Sequence, residues 1–130
     1  MFLYGVGTGG LEPEPVVTLR ARIVEVRRLA AGDTVSYDAT WRAGADARIA
    51  TASLGYADGY RRALSNRGAA LLGGRAVPVV GNVTMDMTML DVTGVSCGPG
   101  DVATFIGADG DARLTVAEAA ARGALSPYEV

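Results

Sequence analysis

Small and branched apolar residues recur along this chain in short runs, broken by glycine, asparagine, aspartate or proline about every eight to twelve positions. The longest run covers residues 16–29. Val17, Leu19, Ala21 and Ile23 fall on one face of an extended chain, and Val24 and Val26 then move the apolar side to the other. Side chains on a strand alternate strictly, so a change of phase needs an extra residue; the pattern predicts a bulge or a strongly bent strand, as in small closed barrels. Ala30-Ala31-Gly32-Asp33 reads as a turn, and residues 34–43 are expected to fold back on the first strand as a hairpin. Gly44-Ala45-Asp46 turns the chain again into a strand at 47–54.

Residues 61–67 are polar and predict a helical turn. Gly73-Gly74, between apolar runs at 69–72 and 75–80, marks a second hairpin, with Pro78 at an edge or a kink. In residues 83–92, Val83, Met85, Met87 and Met89 alternate with polar neighbours, which reads as a strand with a methionine stripe packed in the core. Residues 101–106 form the last clear strand. One helix is predicted over 116–121: Thr115 and Glu118 have capping-box spacing, Glu118 and Arg122 pair one turn apart, and Gly123 fits the stop. About six or seven short strands with regular turn signals indicate an all-β barrel or sandwich.

Composition narrows the chemistry. A chain of 130 residues with 49% hydrophobic and 20% charged residues is one domain that can bury a core without staples. A net charge of −2 gives no reason to expect nucleic acid or an anionic membrane as partner. Cys97 stands alone, which excludes an internal disulfide and a cysteine-rich zinc site. The sequence shows no membrane-spanning run and no signal peptide, which predicts a cytoplasmic protein. It also holds no histidine and no lysine; all 12 basic residues are arginine. Histidine-based nucleophiles, histidine-held metals, lysine Schiff bases and the phosphate-loop lysine are therefore all outside its reach. Any acid or base must be a carboxylate, a tyrosine or the cysteine, or must come from another polypeptide.

Residues 2–10 read as the end of an apolar strand running into a glycine loop. In it Gly5, Gly7 and Gly10 satisfy the spacing of a dinucleotide-binding loop, but Pro13 and Pro15 follow where that loop would open a helix, so residues 11–15 read as an extended linker. Gly55-Tyr56-Ala57-Asp58-Gly59-Tyr60-Arg61-Arg62 crowds two phenols, a carboxylate and two guanidiniums onto a bend at a strand end. By itself this fits either a surface turn or a site-lining loop. Tyr37 shares its strand face with Val35, Ala39 and Trp41, which fits a core tyrosine.

Three segments taken together change the weighing. Val35-Ser36-Tyr37-Asp38-Ala39-Thr40-Trp41, Gly55-Tyr56-Ala57-Asp58-Gly59-Tyr60 and Val80-Gly81-Asn82-Val83-Thr84-Met85-Asp86-Met87 resemble the C-terminal domain of alanine racemase. Leu3-Tyr4-Gly5, Ala63-Leu64-Ser65-Asn66, Pro78, Gly100-Asp101, the helix opening at Thr115 and Tyr128-Glu129-Val130 follow in the family's order. The resemblance covers nearly the whole chain. It implies a mainly β fold, a small Greek-key β-barrel of about six strands with one short C-terminal helix, over residues 1–130, with 1–15 the linker from a barrel domain that the chain does not contain.

The family is dimeric and uses pyridoxal 5′-phosphate, held on a lysine of a TIM-type barrel domain. Its active site forms between that barrel and the β domain of the partner subunit, and it interconverts L- and D-alanine for peptidoglycan. The resemblance implies that Tyr37 is the base acting on L-alanine. Because a phenol titrates near pH 10, that role demands a downward shift of roughly three units, about 4 kcal/mol, which burial alone opposes. It further implies that the backbone N–H of Met85 holds the substrate carboxylate, that Tyr56 and Arg62 line the substrate entrance, and that Tyr128 hydrogen-bonds the cofactor phosphate. Asp58 and Asp86 are expected to fix their loops through backbone hydrogen bonds. Asn82 stands at the gate where many members carry arginine, which bears on substrate range. The isolated chain, lacking the Schiff-base lysine, is expected to be inactive. A broad-specificity racemase, a pyridoxal-dependent decarboxylase and a free-standing β-barrel that only binds a partner are the alternatives.

Overall fold

The computed structural model describes residues 18–36 and 40–125. Tyr37 and Tyr128, the expected linker at 1–15 and the last five residues lie outside them. The chain runs through β1 (Leu19–Leu29), β2 (Thr34–Val35), β3 (Trp41–Arg42), β4 (Ala47–Ala52), β5 (Ala69–Leu72), β6 (Arg75–Pro78), β7 (Thr88–Asp91), β8 (Val102–Asp109), β9 (Ala112–Leu114) and α1 (Val116–Arg122). Short 3-10 turns cover Tyr56–Asp58 and Arg62–Leu64. No helix among the described residues is long and apolar enough to cross a membrane.

Six strands close into an antiparallel barrel. Their order is β6-β5-β8-β1-β4-β7, and the bridge between Val79 and Leu90 joins the last strand back to the first. β5, β6 and β7 follow one another around the wall, and β8 returns to lie beside β5, which is the Greek-key connection. Val79 makes that closure: Pro78 pairs with Ala69, Val79 N–H donates to Gly68 O at 2.8 Å on the same side, and Val79 meets Leu90 on the other.

The expected phase change in β1 is a bulge. Ile23 pairs with Ala52 and Glu25 with Thr51, so Val24 is the extra residue. The bulge lets one strand serve two neighbours, β8 through its first half and β4 along its second. Inside the barrel Ile23, Ala52, Leu72, Val77, Leu90 and Phe105 pack together. A second cluster lies outside β4, where Leu29, Val35, Ala47, Ile49 and Val80 bury Trp41 and Met89 in part. Burial on both faces explains why β4 reads as a nearly continuous apolar run.

Two expectations are corrected. The described parts of 34–43 do not pair with β1; β2 and β3 form their own ribbon, with Val35 opposite Trp41. The place beside β1 goes to β4, whose small apolar residues seal the barrel, and Ser36 at φ 66 breaks the extended run. Nor is 83–92 one strand. Only Thr88–Asp91 is, because Thr84 closes a tight turn on Met87, with its N–H 3.0 Å from Met87 O and its hydroxyl accepting from Met87 N at 3.1 Å. Met85 and Met87 are consequently exposed rather than core. The helix keeps its forecast start, with Thr115 Oγ1 and Glu118 capping each other's backbone N–H groups. A further strand, β9, pairs with β8 ahead of it.

Candidate active site

The loops that carry the three sequence motifs gather at one end of the barrel, and backbone hydrogen bonds stitch them together. Tyr56 N–H donates to Thr84 O and Ala57 N–H to Met85 O, each at 2.9 Å. Gly55 permits this approach. Its φ of −144 is ordinary, but a Cβ there would lie 2.3 Å from Thr84 O and 2.4 Å from the Met85 carbonyl carbon. Below the loops, Thr88 Oγ1 donates to Leu54 O at 2.6 Å from a fully buried position, fixing the end of β4 to the start of β7. Asp58 Oδ2 accepts from Gly55 N–H at 3.1 Å and closes the 3-10 turn, as expected of it. Asp86 makes no such bond among the described residues.

Those contacts aim one donor outward. The Thr84 carbonyl and the Met85 N–H belong to one trans peptide unit and point in opposite directions. With the carbonyl turned onto Tyr56, the Met85 amide faces away from the 55–58 turn. It has no acceptor among the described residues, and Met85 itself is 54% exposed. A backbone donor held on a pinned turn is suited to an anionic oxygen.

The two phenols of the 55–62 loop take opposite fates. Tyr56 is 39% exposed, with the Arg62 guanidinium 5.7 Å from its ring centroid, a cation–π stack that steadies both groups at the rim. Tyr60 is only 3% exposed and meets Phe105 edge-on, centroids 5.0 Å apart. Burial pushes its phenol well above the ordinary range, and Arg122 only partly offsets this. Tyr60 is a core residue.

Asn82, half-buried, accepts from Ser36 Oγ through its backbone carbonyl at 2.8 Å, so the gate residue of the sequence reading is moored beside the segment that bears Tyr37. The 62–66 stretch joins the same assembly, because Val83 N–H donates to Ser65 Oγ at 2.8 Å. Tyr56, Arg62, Asn82 and Met85 therefore belong to one connected set of loops. Cys97 lies apart, its carbonyl held by Arg48 at 3.1 Å and its thiol pushed up chiefly by burial. No group of histidine, cysteine or acidic residues among the described residues could hold a metal ion. The sequence holds Ser65 and Asn66 in the segment Ala63-Leu64-Ser65-Asn66 but gave no sign of the part they play in joining these loops.

Comparison with known proteins agrees with this architecture. A family model described as alanine racemase, C-terminal domain, matches residues 16–130. An alanine racemase from Sorangium cellulosum is 47% identical over 109 residues, which is 81% of this chain and 29% of that protein. One from Deinococcus radiodurans is 45% identical over 116 residues, 89% of this chain and 32% of that protein. The chain thus spans about a third of the length of these curated relatives. The crystal structure of alanine racemase from Bartonella henselae with covalently bound pyridoxal phosphate superposes with a TM-score of 0.86 at 31% identity, over 98% of this chain and 36% of that one.

Proposed function

This chain belongs to the family of alanine racemase C-terminal domains, and on that premise we propose that it supplies one of two proton-transferring groups to a racemase active site completed by another domain. The residues of the chain fit an ancillary role toward pyridoxal phosphate. The sequence has no lysine, so no side chain here holds the cofactor covalently. What the loops offer instead is a backbone donor, a phenol and a guanidinium at an open rim. These suit an anionic substrate passing toward a cofactor held on the barrel domain of the partner subunit in a homodimer. When bound, pyridoxal phosphate supplies the electron sink that makes the α-proton of an amino acid removable.

The Met85 N–H binds the substrate carboxylate and so sets which face of the α-carbon meets Tyr37. The Tyr37 phenolate accepts the α-proton of L-alanine, and in the reverse direction the phenol returns a proton to the same face. A phenolate near neutral pH requires roughly three units of downward shift, so a cation or a hydrogen-bond network from the other domain must favour the charged form. Tyr56, backed by Arg62, and Asn82 narrow the approach, and Tyr128 reaches the cofactor phosphate. Asp58 works inside its own loop. On this reading the isolated chain is inactive.

The observation that carries the reading is the outward Met85 amide on a turn pinned to the 55–58 segment, in a loop moored beside the residues that flank Tyr37. The test is Tyr37→Phe in the complete enzyme. Loss of a proton-transferring group lowers turnover by roughly 10²–10⁴-fold while leaving the absorbance of the bound cofactor unchanged. Turnover within a few-fold of the unsubstituted enzyme would show that another residue is the base.

A further inference from the structure

One side chain of the Ala63-Leu64-Ser65-Asn66 segment, for which the sequence suggested no role, connects the segments on either side of residues 37–39. Asn66 Nδ2 donates to Thr40 Oγ1 at 3.0 Å, and Asn66 Oδ1 accepts from the Gly81 N–H at 2.6 Å. Gly81 crosses the end of β2 so closely that a Cβ there would stand 2.9 Å from Val35 O and 3.1 Å from Ser36 Cβ. Next along, Asn82 accepts from Ser36 Oγ at 2.8 Å and, more weakly, from Thr40 Oγ1 at 3.4 Å. Ser36 and Thr40 are thus both tied to residues 81–82, and Asn66 locks Thr40 to that same segment.

The backbone points to the same place. Asn66 has φ 58, Ser36 φ 66 and Gly81 φ 76, all in the left-handed region. Among the described residues only one other non-glycine, Ala124, shares it. Conformations of this kind persist where the surroundings over-determine them, and they gather at functional segments. An asparagine also meets two demands at once. Thr40 gives its hydroxyl proton to Asn82 and needs a donor, while the Gly81 amide needs an acceptor; a neutral amide side chain offers both.

We propose that Asn66 is a positioning residue. It ties Thr40 to residues 81–82, which also hold Ser36, and through these two flanking residues it supports proton transfer at Tyr37. The inference rests on the reading of Tyr37 as the base, and Asn66 acts only through its neighbours.

The variant to make is Asn66→Gly in the complete racemase, because glycine keeps the left-handed backbone without strain and removes both side-chain bonds. Turnover is expected to fall roughly tenfold or more with the cofactor spectrum unchanged. The α-deuterium isotope effect should rise with L-alanine and not with D-alanine, since only proton transfer at the tyrosine is slowed. Thr40→Val, which also removes the weaker bond to Asn82, should act in the same direction, and the double variant should lose less than the product of the two single losses, because the two share one contact. In the isolated chain, Asn66→Gly should speed amide exchange at Gly81. Turnover within twofold of the unsubstituted enzyme overturns the proposal, and so does a loss of activity with both isotope effects unaltered. Should Asn66→Gly fail to fold, Thr40→Val decides, and an unaltered L-alanine isotope effect there is equally fatal. Tyr37→Phe, run in parallel, separates the two readings: full activity in that variant removes the base assignment itself, whatever Asn66 does.

Discussion

Adding a single methyl group at Gly55 should separate the two loops that frame the site. The new Cβ of Gly55→Ala would lie 2.3 Å from Thr84 O, against 3.4 Å or more for an ordinary contact, so the 84–85 backbone must retreat by about 1 Å. Both hydrogen bonds from Tyr56 and Ala57, now 2.9 Å, would pass beyond bonding range. Losing two such bonds costs about 2 kcal/mol, and residual crowding adds about 1–2 kcal/mol, for a total of about 3–4 kcal/mol. In a domain of this size that lowers Tm by about 10–15 °C. Gly59→Ala is the matched control, with φ 100 but nothing within 4 Å, so it meets backbone strain without a clash. That strain costs about 1–2 kcal/mol, or about 4–7 °C. Thermal melts of the chain followed by circular dichroism give both numbers. In the complete enzyme, on the role proposed for the Met85 amide, its displacement by about 1 Å should reduce kcat/KM on the order of 10²-fold. If Gly55→Ala melts no lower than Gly59→Ala, the close-approach argument is wrong.

Two further expectations concern the core and the helix. Because burial raises the Tyr60 phenol above its unfolded value of about 10, the folded state keeps a proton that the unfolded chain gives up in alkali. That stability is present in full below about pH 10 and falls as pH rises above it. Urea titrations at rising pH should show the loss, Tyr60→Phe should flatten it, and an equally steep loss in that variant would point to other groups. Thr115→Ala removes the hydroxyl that accepts from Glu118 N–H at 3.1 Å, and should lower stability by about 1 kcal/mol, or about 4 °C in Tm. An unshifted melt would mean that α1 frays independently of the barrel.

Local order was legible wherever one stretch of chain settles its own geometry. The phase change at Val24 announced the bulge, because alternation along a strand tolerates no other remedy. Gly73-Gly74 announced the β5–β6 hairpin and Thr115 with Glu118 the helix start, since turns and caps are made among residues a few positions apart. The mainly β character and the family followed from spacing and motifs along the chain. So did the absence of lysine and histidine, which leaves no side chain here to form a Schiff base.

Tertiary structure decided what depends on distant partners. Residues 34–43 carry good strand formers, yet whether they pair with β1 turns on β4, which competes for that edge with a better apolar face. Val83 to Met89 alternates like a strand, but a threonine hydroxyl closing on Met87 and two amides from the 55–58 turn hold Met85 to Met87 as an exposed loop between buried Val83 and β7. Tyr56 and Tyr60 are the same side chain four positions apart; Phe105, from a strand 45 residues further on, receives one and leaves the other at the rim. The role of Asn66 could not be read from its own segment, because its meaning lies in Thr40 and Gly81, 26 and 15 residues away. A sequence records which groups are available and how its own short stretches bend, whereas which groups meet is a free-energy competition among remote surfaces, resolved only when the barrel closes.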